Sequence, residues 1–141
     1  MLLICILRGG VIFLTDLMRH ISIPHAIDFM AVESYGSGAR QSTGTVKITM
    51  DLRIDIKDRN VLLVEDIVDS GRTLSHVLDL LSTRSPESLS VCCLLDKKAR
   101  REVGVPIDYT GFEIPDEYVF GYGLDLDELW RNLPFVGVAK D

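Results

Sequence analysis

The stretch VLLVEDIVDSGRTL, residues 61–74, decides how the rest of the chain is read. Val61 to Val64 form an unbroken apolar run, which suits a strand covered on both faces of a parallel sheet. The run gives way at once to Glu65 and Asp66, then to Asp69, then to Ser70-Gly71-Arg72-Thr73. From Thr73, TLSHVLDLLSTR puts Leu74, Val77, Leu78 and Leu81 on one helical face. Ligands of open α/β sheets gather beyond the carboxyl ends of strands, where helices begin. The acids and the turn therefore stand where a ligand would be held.

Working outward, Leu2 to Leu7 is a second apolar run, broken by Gly9 and Gly10. Val11, Leu14, Leu17 and Met18 then recur at helical spacing as far as His20. Pro24 separates this helix from an extended segment, Ala26 to Val32. Residues 34–45, SYGSGARQSTGT, have no periodicity and read as a loop that is long for a compact domain. VKITM at 46–50 alternates as a strand does, DIKDRN at 55–60 reads as a turn, and LSVCCLL at 89–95 is a third apolar strand. Strand, helix and strand at these spacings imply right-handed parallel crossovers in an α/β sheet. The last forty or so residues, rich in Gly, Pro and aromatics, read as short strands and loops on the sheet's edge. Trp130 and Phe135 there read as packing residues.

At 141 residues with 47% hydrophobic content, the chain fits one domain with a proper core. Its net charge of -6 argues against general attraction to nucleic acid or anionic membrane. A phosphate ligand must then be held locally. The opening MLLICIL is too short to span a membrane and lacks the basic start of a signal peptide. Cys5, Cys92 and Cys93, odd in number and set in apolar sequence, suit reduced buried thiols and a cytoplasmic setting. His20, His25 and His76 show no metal-site spacing and are assigned to caps and surfaces.

Asp69-Ser70-Gly71-Arg72-Thr73 offers successive backbone N–H groups, a flexible Gly and hydroxyls at the positive end of a helix, a combination that encloses a phosphate. Arg8-Gly9-Gly10 offers a second anion site. Taken alone, each turn also reads as an ordinary strand-to-helix connection or helix cap. The P-loop and dinucleotide fingerprints are both missing. Glu65 and Asp66 are acceptors suited to vicinal ribose hydroxyls and partners for a hydrated cation.

Together these residues resemble the hypoxanthine-guanine phosphoribosyltransferases. VLLVEDIVDSGRTL is similar to the signature that binds 5-phosphoribosyl 1-pyrophosphate (PRPP), and ILRGGVIFLTDL, ESYGSGARQSTG and GFEIPDEYVFGYGLDLDELWRNLPFVGV match in order. The resemblance implies a type I phosphoribosyltransferase fold, a mainly parallel α/β sheet flanked by helices with a small C-terminal hood. Residues 1–141 would form one domain, with hood and base-binding region in 97–141. Family members carry several tens of residues ahead of the ILRGG strand, so the chain is expected to be short at its front.

The implied reaction transfers 5-phosphoribosyl from PRPP to hypoxanthine, guanine or xanthine, with Mg²⁺ and release of pyrophosphate. By resemblance, Asp69, Ser70, Gly71, Arg72 and Thr73 hold the 5-phosphate, and Glu65 and Asp66 the ribose hydroxyls. Asp69 exchanges a proton with purine N7. Arg8, Gly9 and Arg131 meet pyrophosphate, at a turn that in the family commonly has a non-proline cis peptide. Lys97 donates to the exocyclic O6, Tyr118 stacks on the base and the Val119 backbone reads its edge. Ser34 and Tyr35 open a lid loop. Asp125, with Glu65 and Asp66, is the metal-binding set. A homodimer or homotetramer is implied as well. The rival reading is a non-catalytic PRPP- or nucleotide-sensing regulator on the same fold.

Overall fold

The computed structural model describes residues 1–35 and 45–140. Strand β1 (Leu2–Leu7) leads into helix α1 (Val11–Arg19), followed by β2 (Ala26–Tyr35) and β3 (Thr45–Met50). Strand β4 (Asn60–Val68) leads into α2 (Arg72–Ser82), then β5 (Ser88–Asp96) and a 3₁₀ turn (Lys98–Arg100). The short strands β6 (Tyr109–Glu113), β7 (Val119–Phe120) and β8 (Gly137–Val138) complete the chain. The main sheet has the order β3-β2-β1-β4-β5-β6, parallel except for the antiparallel β2–β3 pair, and β7–β8 form a separate ribbon.

Successive residues of a strand point to opposite faces, and the apolar runs use both. Leu2, Ile4 and Leu63 pack with Val77 and Leu81 of α2 and with Ile56. Their neighbours Leu3, Cys5 and Val64 pack with Leu14 of α1. The two helices therefore cover opposite faces, as right-handed crossovers leading away from β1 and β4 in opposite directions require. α1 ends at His20, whose backbone N–H bonds to the Leu17 carbonyl and whose ring lies 2.8 Å from the Asp16 carbonyl, so this histidine is a cap as its sequence setting implies.

Three expectations are corrected. Ser34 and Tyr35 are not loop: their backbones pair with Val46 and Thr45 in the β2–β3 ladder, which needs no apolar side chains to form. The lid itself falls on residues 36–44, outside the described residues. β4 does not stop at Val64 but continues through both acids to Val68, because β5 supplies a partner as far as Val68↔Asp96. Trp130 and Phe135 are exposed and not packed in the core. Phe135 instead lines an apolar groove of about 790 Å³ between α1 and the C-terminal segment, with Phe13, Leu17, Leu94, Phe112 and Ile114.

All three cysteines are free and buried. Burial pushes the Cys5 thiol up to about 12, helped by the nearby Glu65 and Asp66 charges, which makes it an inert core residue. No helix among the described residues is long and apolar enough to cross a membrane.

Leu63 is fully buried at the centre of the sheet. Leu63→Ala is expected to cost about 2–5 kcal/mol of stability, read as a lowered urea midpoint with an unchanged slope.

Candidate active site

The strand order reverses between β1 and β4, since β1 crosses through α1 to β2 on one side and β4 through α2 to β5 on the other. Backbone pairing of β1 with β4 ends at Cys5↔Val64. Past that point the two strand ends separate, and the ligand-binding edge opens between them. β1 delivers Leu7-Arg8-Gly9 there, with a cis peptide between Leu7 and Arg8. β4 delivers Glu65, Asp66 and Asp69.

The glycines at this point are dictated by contact. A β-carbon on Gly9 would run into the Asp66 carboxylate, and one on Gly123, whose φ is +99°, would strike the Gly9 carbonyl. β1, β4 and the C-terminal loop meet at a single place, closer than any side chain allows.

Glu65 is buried, and loss of hydration raises its carboxyl well above 4.5, with the Asp66 charge adding to the shift. Asp66 is raised too, first by burial; its hydrogen bonds from the backbone and the Arg131 charge pull the other way, while Asp125 pushes upward. Asp66 Oδ1 accepts the Ile67 N–H at 2.7 Å. Strand alternation sends Glu65 toward the α2 face and Asp66 toward the Gly9 turn.

The turn after β4 is braced from behind. Gly71 precedes α2 at φ +84°, a conformation other residues rarely adopt, and a β-carbon there would collide with the Val103 carbonyl. The Ser70 carbonyl accepts the N–H groups of Glu102 and Val103 at 2.9 and 3.0 Å, and Ser70 Oγ accepts the Arg72 N–H at 3.3 Å. Arg72 Nε donates to Glu102 at 2.7 Å. Thr73 lies in the first turn of α2. Asp69 Oδ1 is buried without a hydrogen-bond donor.

Just after the neighbouring strand β5, the Lys97 N–H bonds to the Val68 carbonyl at 2.9 Å, fixing this lysine beside the Asp69 turn. Lys97 is only 7% exposed and its Nζ lies 3.9 Å from Asp116. Lys98, adjacent and of the same type, is exposed and bonded to Glu113 at 2.6 Å. Burial thus separates two lysines that the sequence leaves interchangeable. Tyr118 is 57% exposed, a free aromatic face, and Val119 pairs with Val138.

Around the opening, Arg131 lies 3.2 Å from Asp125 and donates to the Gly123 carbonyl at 2.9 Å, while Arg8 pairs with Glu128 at 2.8 Å on the surface. Asp125 also accepts the Glu128 N–H at 3.0 Å. The expected metal set is not gathered by the protein alone: among the described residues, no three His, Cys, Asp or Glu side chains come together as a metal group. Asp125 is held by Arg131, and Glu65 points to the other face of the sheet.

Arg101, Arg100, Asp96 and Asp116 were not singled out from sequence. The Arg101 guanidinium pairs with Asp96, an acid only 2% exposed, and its Nε donates to the Asp69 carbonyl at 3.1 Å. The available signal is an acid that ends the apolar run Val91–Leu95, followed closely by paired arginines.

Comparison with known proteins agrees with this fold. The phosphoribosyl transferase domain model matches residues 1–129. The hypoxanthine phosphoribosyltransferase of Salmonella typhimurium is 53% identical over 137 residues, 97% of this chain and 76% of the relative. A crystal structure of a Staphylococcus aureus hypoxanthine phosphoribosyltransferase superposes with a TM-score of 0.95 at 45% identity, covering 99% of this chain and 75% of that one. The Trypanosoma cruzi hypoxanthine phosphoribosyltransferase in complex with the product IMP gives 0.91 at 38% identity, over 99% of this chain and 74% of that one. The chain belongs to the phosphoribosyltransferase family. Within it, these relatives and solved structures are hypoxanthine phosphoribosyltransferases, enzymes of purine salvage.

A carboxyl raised in the folded state contributes stability below its ordinary value and loses it as pH rises through the folded value. Glu65→Gln removes that loss. The ligand-free variant should therefore melt higher than the parent at pH 8, with the gap closing toward pH 4, as read by thermal unfolding across that range.

Proposed function

We propose that this chain transfers the 5-phosphoribosyl group of PRPP to a 6-oxopurine, giving the nucleoside monophosphate and pyrophosphate. The observation that carries the reading is a buried lysine beside a buried carboxylate oxygen that accepts no hydrogen bond: Lys97 just after β5, linked by its backbone to Val68, and Asp69 just beyond β4. One is a donor for an exocyclic carbonyl, the other an acceptor for a ring N–H.

In this reading the backbone and hydroxyls from Asp69 to Thr73 hold the 5-phosphate at the α2 N-terminus. Glu65 and Asp66 accept the ribose hydroxyls, which restores to these desolvated acids the hydrogen bonds that burial removes. The Arg8-Gly9 turn and Arg131 receive the pyrophosphate. Purine N9 forms a bond to C1′ as the bond from C1′ to the pyrophosphate oxygen breaks, and the electron pair leaves with pyrophosphate. The proton on N7 passes to Asp69, the base in this direction and the acid in reverse. Tyr118 stacks on the base and the Val119 backbone reads its edge.

The Asp125 charge adds to the cost of ionising Asp66, so this acidic edge suits a hard divalent ion. Asp125 and Asp66, with the oxygens of PRPP and water, would hold Mg²⁺, whose chemistry is to offset charge on the departing pyrophosphate, while Glu65, on the other face of the sheet, stays out of that set. The reading takes residues 1–141 as one phosphoribosyltransferase domain acting in the cytoplasm as a homodimer or homotetramer, with Ser34 and Tyr35 leading into a lid.

The test is nucleotide formation from PRPP and Mg²⁺ with hypoxanthine, guanine, xanthine or adenine offered separately. Adenine presents a second donor to Lys97, so 6-oxopurines should be preferred by about 10⁴-fold in kcat/KM. Asp69→Asn should lower kcat by about 10²–10⁴-fold. A folded chain that binds PRPP but turns over no base would overturn the enzyme reading in favour of a PRPP sensor.

A further inference from the structure

Arg100, in the 3₁₀ turn after Lys97, stands between two acids. Its Nε lies 3.2 Å from Asp69 Oδ1 and its Nη1 lies 3.7 Å from Asp116 Oδ1. Lys97 Nζ lies 3.9 Å from that same Asp116 oxygen. Asp69 Oδ1 nonetheless lacks an aligned hydrogen-bond donor. The guanidinium therefore attracts the carboxylate by charge and leaves its acceptor direction open.

The backbone behind this contact is fixed. Arg101 is clamped to the buried Asp96 and bonds to the Asp69 carbonyl, so the turn carrying Arg100 and the turn carrying Asp69 move as one unit. Arg100 itself is half exposed and makes no contact that the fold needs, which sets it apart from Arg101. The other charges of these elements are engaged in their own pairs: Arg72 with Glu102, Lys98 with Glu113 and Lys97 with Asp116.

From this arrangement we infer that Arg100 is a positioning residue for proton transfer: it holds the Asp69 carboxylate aimed at the base site, and through Asp116 ties that aim to Lys97. The inference rests on the reading of Asp69 as the group that takes the N7 proton. Arg100 touches neither substrate nor reacting atoms. It acts by keeping a carboxylate in one orientation at the moment a proton must cross, a geometry on which transfer rates depend steeply. A neutral side chain at position 100 would leave Asp69 free to rotate and its charge unopposed.

A double-mutant cycle separates this role from general support of the fold. Arg100→Gln should lower kcat about tenfold to a hundredfold, with KM for PRPP within about twofold, while Arg100→Lys keeps most of the parent kcat. In an Asp69→Asn background, Arg100→Gln should have no further effect on kcat. Equal losses in both backgrounds, an unchanged kcat, or an effect confined to KM for PRPP would each overturn the role. Thermal unfolding of each variant accompanies the kinetics, and a Lys variant that folds but falls as low as the Gln variant also counts against it. Should the parent chain itself turn over no 6-oxopurine, the proposed function fails and this role with it. Turnover that is indifferent to Arg100 sinks the role alone.

Discussion

The site depends on where one parallel ladder stops. β1 and β4 pair only as far as Cys5↔Val64, whereas β4 and β5 continue to Val68↔Asp96. β4 thus projects past β1 with one edge paired and the other open. The two right-handed crossovers leave this junction in opposite directions, so no helix covers it and backbone groups from both strands face the same opening. Gly9 can lie against Asp66 only because neither strand is filling that gap with ladder bonds or side chains.

Around the opening, the fold places charges where water would normally hold them. Glu65 is buried within a core strand and the Asp125 charge adds to the cost of ionising Asp66, conditions a globular core does not create without compensation. In the proposed reading, a ligand with hydroxyls and a cation would supply the compensation. The pair between Asp96 and Arg101 answers a different need. A buried ion pair is weak evidence for stability, but removal of one partner is costly, so such pairs serve to fix geometry. Here it fixes the Asp69 turn against the end of β5, which Lys97 follows.

The C-terminal segment closes the arrangement. Tyr122 bonds to Asp16 of α1, and its phenol is pushed up to about 12, chiefly by burial and then by that acid. Gly123 meets Gly9, and Arg131 reaches back to the Gly123 carbonyl. The short β7–β8 ribbon carrying Val119 follows from these anchors more than from its own two-residue strands.

Local pattern sufficed for the parts of this protein governed by neighbours along the chain. Apolar runs at 2–7, 61–64 and 89–95, helical spacing after Gly10 and Gly71, and acids next to a glycine turn marked the central strands, both helices and the turn ahead of α2, and the ordered set of motifs pointed to the family. Tertiary structure decided whatever depends on a partner distant in sequence. Periodicity ended β4 at Val64, because hydrophobicity records burial and not the hydrogen bonds that β5 offers to Glu65 and its successors. Ser34 and Tyr35 look like loop for the same reason. Lys97 and Lys98 are identical in local chemistry, and only the tertiary fold at the end of β5 buries one and exposes the other. Arg100 looks like one more surface charge until the turn brings it against Asp69, since an ion pair spanning 31 positions leaves no trace in the residues beside it.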